Sequence, residues 1–388
     1  MTWTSAMGRA LVTAGAAALA VPALTELRIA PSTRALTRRW REVPVGRRGN
    51  TALGISFRPR QCEDFDLDPR ETLTTLLSYP FDLVRLSAYW DRIEPEPGEF
   101  DTDEVDWQLE AAERAGKRVV MCLGPIKSFG YPEYFVPGHL LDEALPEGRL
   151  VDPVSQPALL DAATRYLARM VKRYRDRESI VAWQIEHEAV DPLGLEHSWR
   201  LAQTFLRHEV ATVRANDPAR PIVLNGFLPT STIVLAHQWW RTRDQGDSVA
   251  AAEQIADIVG IDSYARYAVT SVGRWSVYLD GSTGVLPALR RRRLLATVAA
   301  TGRKVMVTEG QAEPWEAVTV PPSPTARAAS SCPPERIIKN YNDWLRWASQ
   351  ARTELSAYLF WGAEYWVMRD RQGDSSYLDA FTRLLEQS

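Results

Sequence analysis

The sequence predicts an α/β protein built as a single (β/α)8 TIM barrel, and three observations carry that expectation. Eight short apolar runs recur between residues 51 and 388, each followed by a helix-like stretch. Most of the runs are continuously apolar rather than alternating, as strands covered on both faces are. No early turn carries a GxGxxG pattern, which places the doubly wound sheet behind the closed barrel.

The runs are ALGISF (52–57), DLVRLSA (82–88), RVVMCLG (118–124), IVAWQIE (180–186), PIVLNG (221–226), DIVGID (257–262), KVMVTEG (304–310) and SAYLFWG (356–362). Helical patterning covers 69–79, 103–116, 157–175, 195–216, 282–300, 334–351 and 374–387, and the helix between runs five and six falls within 231–256. Pro69 and Pro334 stand at helix starts, where a missing N–H costs nothing. Gly116 closes the second helix.

The chain has 388 residues, of which 45% are hydrophobic and 24% charged, the composition of a globular protein. A net charge of −3 gives no electrostatic footing for nucleic acid. Fourteen Trp and thirteen Tyr suit a large core, and they equally suit a cleft in which ring faces pack on the C–H faces of sugars. Three cysteines, Cys62, Cys122 and Cys332, are too few and too scattered for a disulfide framework or a thiolate zinc site. Cys122, inside VVMCLG, reads as a core thiol.

The first fifty residues differ from the rest. Residues 10–24, ALVTAGAAALAVPAL, have the length of a signal-peptide core and offer a small-x-small site at Ala18-Leu19-Ala20. Residues 28–50 then carry seven arginines against one acid, Glu42, a flank that holds back translocation if the apolar segment stays as an anchor. The expected organisation is a signal peptide or membrane anchor over 1–27, a basic linker over 28–50 and the barrel over 51–388. It implies a secreted or membrane-anchored protein, with membrane association through the N-terminal segment.

Chemistry in a (β/α)8 barrel sits at the C-terminal strand ends. Strand two ends near Arg85, with Tyr89 and Trp90 beyond it, and strand four ends at Glu186-His187-Glu188. Strand five ends near Asn225, strand six at Asp262 and Tyr264, strand seven at Glu309, and strand eight at Trp361 with Glu364 beyond. Glu188 and Glu309 thus face a common mouth. Two carboxyls across a cleft are what glycoside hydrolysis requires: an acid for the leaving oxygen, and a carboxylate that attacks or activates water. A separation of about 5–5.5 Å gives retention and about 6.5–9.5 Å inversion. Arg85 and Tyr264 suit the task of keeping one carboxylate charged and oriented.

The Glu186-His187-Glu188 cluster also raises a metal-dependent hydrolase. On a regular strand the two glutamates point one way and the histidine the other, and neither HExxH nor a Cys cluster is present. No metal or organic cofactor is therefore expected.

Three stretches resemble the retaining glycoside hydrolases of clan A, the clan of cellulases, β-mannanases and β-galactosidases. VRLSAYWDRIEPEPGEFD (84–101) is similar to the clan's second-strand segment, IVAWQIEHE (180–188) to its fourth-strand segment, and KVMVTEGQAEPW (304–315) to its seventh. The resemblance spans residues 51–388. It implies a retaining β-glycosidase acting on an oligosaccharide or polysaccharide, with Glu188 as acid/base and Glu309 as nucleophile. It also implies Arg85 and Tyr264 beside the nucleophile and Trp361 as an aromatic floor under the sugar. His187 departs from the clan, which has asparagine there to bond the sugar 2-hydroxyl. That departure leaves open a barrel that binds glycan without cleaving it. Trp183, Trp107, Trp344 and Trp347 read as packing. Tyr89, Trp90, Trp315 and Trp366 fall past strand ends, where core packing and sugar subsites are both open. The Pro/Ser-rich stretch 320–334 is a surface loop or a rim over the cleft.

Overall fold

The computed structural model describes residues 24–31, 38–130, 133–141, 145–146, 148–191, 199–242, 245–272, 275–281, 284–315 and 331–388. Most of the apolar N-terminal run and most of the Pro/Ser-rich stretch lie outside the described residues.

Eight parallel strands close into one barrel. They are β1 (Ala52–Ser56), β2 (Leu83–Ser87), β3 (Arg118–Cys122), β4 (Ile180–Gln184), β5 (Ile222–Phe227), β6 (Ile258–Ser263), β7 (Lys304–Gln311) and β8 (Leu355–Trp361). Each coincides with one of the eight apolar runs. β8 pairs with β1 in the register Ala357 to Ala52, which completes the ring.

Side-chain alternation along these strands divides the interior into layers. Leu83, Val120, Ala182, Val223, Ile258, Met306, Ala357 and Leu359 fill the barrel's centre as an apolar plug. Their neighbours point outward into a second core under the helices, where Val84, Leu86, Val119, Trp183, Leu224 and Val307 are buried. Two residues beyond the plug, the inward positions turn polar: Arg85, Gln184 and Asn225. A third cluster, including Cys122, Phe129, Phe227, Tyr264, Tyr267 and Trp361, caps the mouth.

Local chemistry sets the helix ends. Asp68 accepts a hydrogen bond from the Glu71 amide at 2.7 Å and Pro69 opens helix Pro69–Leu77. Gly302, at φ 68°, ends helix Val285–Thr301 in the left-handed region that glycine enters without a side-chain penalty.

Four features differ from the sequence expectation. The region between β5 and β6 holds two helices, Thr232–Thr242 and Ser248–Ile255. A hairpin, Arg266–Val272 and Trp275–Asp280, follows β6 as an insertion that the alternation of strands and helices does not anticipate. Helix Ala363–Arg371 follows β8 directly. Leu27–Pro31, expected in the N-terminal tail and linker, forms a strand on the outer edge of that hairpin, and Trp40 is buried with Arg383 donating to its carbonyl. No helix of the described residues is long and apolar enough to cross a membrane.

Close approach of β1 to β2 depends on Gly54, where an added Cβ would lie 1.9 Å from the Leu83 carbonyl oxygen. Gly54→Ala is expected to cost more than about 3 kcal/mol, because backbone rather than a flexible side chain must move. Urea unfolding that shows an unchanged midpoint would contradict this.

Candidate active site

Alternation delivers the polar layer of the mouth. Arg85 lies two residues above Leu83, Gln184 two above Ala182, Asn225 two above Val223, and Asp262 four above Ile258. β7 departs from the pattern: its register with both neighbours shifts between Val307 and Glu309–Gly310. Such an irregularity lets consecutive side chains serve one site. Thr308 Oγ1 donates to Asp262 Oδ1 at 2.7 Å, while Glu309 faces Arg85 and Tyr264.

Glu309 is buried and both its oxygens are engaged. Arg85 Nη1 donates to Oε1 at 2.8 Å and the Tyr264 hydroxyl to Oε2 at 2.5 Å. Burial, followed by the charge of Glu309, pushes the Tyr264 phenol up, so it remains a donor. The Arg85 guanidinium, with no solvent exposure, also donates from Nε to Gln184 Oε1 at 2.7 Å and lies 3.9 Å from the Phe129 ring centroid.

Asn225 links the two halves of the mouth. Its Nδ2 donates to Asp262 Oδ2 and lies 3.0 Å from His187 Nδ1; its Oδ1 accepts from Gln184 Nε2 at 3.0 Å and from the Glu188 amide at 3.3 Å. With an amide nitrogen at 3.0 Å and Arg85 Nη2 at 3.4 Å, His187 Nδ1 is an acceptor. Burial, then Arg85 and Lys127, push the imidazole well below its ordinary value, so the ring is neutral and carries its proton on Nε2.

The chain between β4 and Asp191 is not a regular strand. β4 ends at Gln184, and Glu186 (φ 57°) and Glu188 (φ 44°) are both left-handed. That conformation costs a non-glycine residue on the order of 1 kcal/mol and persists where the surroundings fix it. Here the loop after β3 supplies the fixing contacts. Glu186 accepts from the amides of Ile126 (3.0 Å) and Lys127, and the His187 amide donates to the Lys127 carbonyl at 3.0 Å. Lys127 Nζ donates to the carbonyls of Glu188 (2.7 Å) and Asp191 (2.9 Å).

Strand alternation therefore does not govern Glu186-His187-Glu188, and the metal reading fails for a different reason. Glu186 is spent on backbone amides away from the mouth, so the three side chains do not converge. His187, Asp262 and Glu309 do come within 4.8 Å of one another. Arg85 and Asn225 already direct donors at those atoms, which is the chemistry of a hydrogen-bonded acceptor group rather than of ligands to a cation.

Glu188 is held well above the carboxylate range, first by burial and then by the neighbouring Asp262 and Glu133. Asp262 is raised too, by burial and by the charge of Glu309, and Glu188 and Asp262 act on each other. One proton between two such groups gives a titration that belongs to the pair.

Glu188, Glu309, Arg85, His187 and Tyr264 thus meet in one place. Trp361 and half-buried Trp315 join the aromatic cluster beside them, with Trp315 4.7 Å from the Tyr264 ring. Two expected substrate contacts are corrected. Trp90 is fully buried, stacked on Tyr166 at 5.0 Å, because the chain after β2 turns into the short helix Trp90–Ile93 and carries the ring back under helix Pro157–Tyr174. Glu364 is fully buried and bound to Arg58 Nη2 at 2.7 Å and to the Arg58 amide at 2.6 Å. Arg58 also pairs with Glu313 at 3.0 Å and lies 4.1 Å from the Trp361 ring, so Glu364 acts on Trp361 only through Arg58. Tyr89 and Trp366 are likewise core.

Asp262 and Asn225 stood at strand ends without an assigned role, and Gln184 was not singled out within the fourth run. Counting in twos from the plug residues would have assigned them to the mouth. Lys127, Glu133 and Arg58 lie in loops or at a strand's edge, where no period marks them. Two surface hollows of about 370 and 410 Å³ are lined by Asp257 and Lys304 and by Thr51 and Leu355, at the opposite end of the barrel.

A closed barrel with paired carboxyls at its C-terminal mouth is the architecture of the clan A glycoside hydrolases. Residues 70–215 match the sequence model of the beta-galactosidase family, glycoside hydrolase family 42, a stretch that contains Arg85 and Glu188 and stops short of Glu309. Native xylanase 10B from Thermotoga maritima has the same fold, with 14% identity, 87% of this chain and 95% of that chain covered and a TM-score of 0.54. A family 10 endoxylanase from a sugarcane soil metagenome matches at 15% identity, 88% and 98% coverage and a TM-score of 0.53. A family 5 enzyme, subfamily 18, from Streptomyces cattleya in complex with GlcNAc matches at 14% identity, 87% and 81% coverage and a TM-score of 0.52. At these identities the structural likeness is one of fold. With the partial family match, the chain is similar to the glycoside hydrolases of clan A.

Removing Glu364 would strand the buried Arg58 charge. Glu364→Ala is expected to destabilise the fold by about 3–5 kcal/mol, whereas a shift within error in thermal unfolding would mean that Glu313 alone satisfies Arg58.

Proposed function

We propose that the chain is a retaining β-glycosidase working by double displacement. The observation that carries this reading is the contrast between the two carboxyls. Glu309 has each oxygen bonded to a donor, Arg85 and Tyr264, as suits an ionised nucleophile. Glu188 lies among carboxyls in a buried position that favours its protonated form.

In the first step Glu309 attacks the anomeric carbon and forms a glycosyl ester. Glu188 gives its proton to the departing glycosidic oxygen as the carbon–oxygen bond breaks. In the second step Glu188, now a carboxylate, takes a proton from water as that water attacks the same carbon and releases Glu309. The enzyme returns with both groups in their starting states. His187, neutral and with Nε2–H available, is a donor for a sugar hydroxyl in place of the clan's asparagine. Trp361 is the floor beneath the sugar ring and Trp315 an edge of the same subsite.

Glu309→Gln and Glu188→Gln are each expected to lower kcat by about 10³-fold on a substrate with a poor leaving group. A 2-deoxy-2-fluoro glycoside should leave one glycosyl mass on the peptide containing Glu309. Full turnover in Glu309→Gln would remove the assignment.

The acid must be protonated, so activity should fall as pH rises through the raised pKa of the Glu188–Asp262 pair. Asp262→Asn takes away a negative neighbour, lets Glu188 lose its proton more readily and should move the alkaline limb of kcat/KM to lower pH. An alkaline limb that stays in place would show that Asp262 does not set the acid's pKa.

A further inference from the structure

Ten of the eleven large hydrophobic side chains that stand exposed among the described residues fall in a few neighbouring elements, Val154 being the exception. Leu24, Leu27 and Ile29 belong to the N-terminal strand and its approach. Trp239 and Trp240, 64% and 62% exposed, lie on helix Thr232–Thr242, and Val269 and Trp275 on the hairpin after β6. Val285, Leu286 and Leu289 open helix Val285–Thr301.

These elements are joined by specific contacts. The N-terminal strand pairs along hairpin strand Trp275–Asp280. Just before it, buried Glu26 accepts from Ser231 Oγ at 2.6 Å and from the Thr232 amide at 2.9 Å, at the head of the tryptophan-bearing helix. A Cβ on Gly284, at the head of the next helix, would lie 3.2 Å from the same carboxylate. Arg290 donates to Gln238 at 2.7 Å and ties the two helices together. The exposed side chains therefore form a collar, in an amount that a soluble surface rarely leaves uncovered without an interaction to account for it.

Three observations identify what the collar meets. On helix Val285–Thr301 the exposed positions 285, 286, 289, 292 and 293 follow helical spacing, so one stripe is apolar at its start and basic, with Arg292 and Arg293, at its end. Arg28 is exposed between Leu27 and Ile29. Three exposed indoles among aliphatic and basic neighbours are the composition of a membrane interface, where one end of the side chain is apolar and the other wet. Finally, the apolar run of residues 10–24 reaches the described fold at Leu24, within the collar itself. We propose that this collar is a docking surface for an anionic lipid bilayer, its indoles and leucines entering the headgroup region and its arginines meeting lipid phosphates.

The test uses the full chain with vesicles of phosphatidylcholine alone and mixed with phosphatidylglycerol. One variant carries W239S, W240S, L286S and L289S; a second carries R292E and R293E; a third carries L11D and L19D, which spoils the N-terminal apolar run and leaves the collar intact. Hydrolysis of a soluble aryl glycoside checks that each variant is folded. The L11D/L19D variant should still sediment with the anionic vesicles, the collar variant should partition about tenfold less than the wild type, and the arginine variant should lose the salt-sensitive part of binding. Should the collar variant fail to fold, quenching of wild-type tryptophan emission by brominated lipid reads the same insertion. Equal binding by wild type and collar variant would overturn the proposal. So would complete loss of binding in L11D/L19D, or a collar-dependent dimer that ignores vesicles.

Discussion

Arg85 carries its charge at the centre of the barrel mouth without touching solvent, and the polar architecture around it follows from the need to satisfy that guanidinium. An unpaired buried cation would cost several kcal/mol, so its donors must find acceptors and those acceptors must be held in place. Glu309 takes one, Gln184 another, and the His187 ring nitrogen faces a third. Gln184 then orients Asn225, and Asn225 fixes the tautomer of His187 and a carboxylate oxygen of Asp262. A chain of amides thus transmits one ion pair across the mouth to the backbone of Glu188. Each link leaves the next with a single workable orientation.

The same network separates Glu188 and Glu309, the two carboxyls of the proposed mechanism, electrostatically. Donors cluster on Glu309, while Glu188 sits among Asp262, Glu133 and Asp191. The two glutamates thus stand in opposite electrostatic surroundings, and the proposed mechanism uses that contrast to let acid and nucleophile act together at one pH. The left-handed backbone at Glu186 and Glu188 belongs to this arrangement. It turns the chain off β4 early, sends Glu186 into the loop after β3 and leaves His187 and Glu188 at the mouth. Strain at such positions is held by the contacts of Lys127, which donates to the carbonyls of Glu188 and Asp191.

Against Trp361 a second buried ion cluster repeats the logic. Arg58 binds Glu313 and Glu364 and lies against the face of Trp361. Glu364 looked like a cleft residue because it follows a strand end by three positions. Its neighbours decide otherwise: a carboxylate that satisfies a buried guanidinium and a backbone amide cannot also reach a ligand. Trp90 misled in the same way. Proximity to a strand end in sequence says that a residue leaves the barrel at the correct height, and the local turn decides whether it faces the axis or the helices.

The sequence by itself determined the barrel and its eight strands, to within a residue or two at most ends, and set Glu188 and Glu309 near the ends of two of them. Strand-length apolar runs have no stable alternative to burial on both faces, and the strand-end rule converts that periodicity directly into a short list of mouth residues. Arg85, Tyr264 and Trp361 were legible for the same reason. What only the tertiary structure decided was everything carried by chain that has no period. The irregularity of β7 at Thr308, the left-handed turn through Glu186 and Glu188, the clasp of Lys127, the Arg58 cluster and the docking of Leu27–Pro31 on a hairpin all depend on contacts between segments far apart in sequence. A residue's partners there are fixed by three-dimensional neighbours, and no local pattern of apolar and polar side chains encodes them.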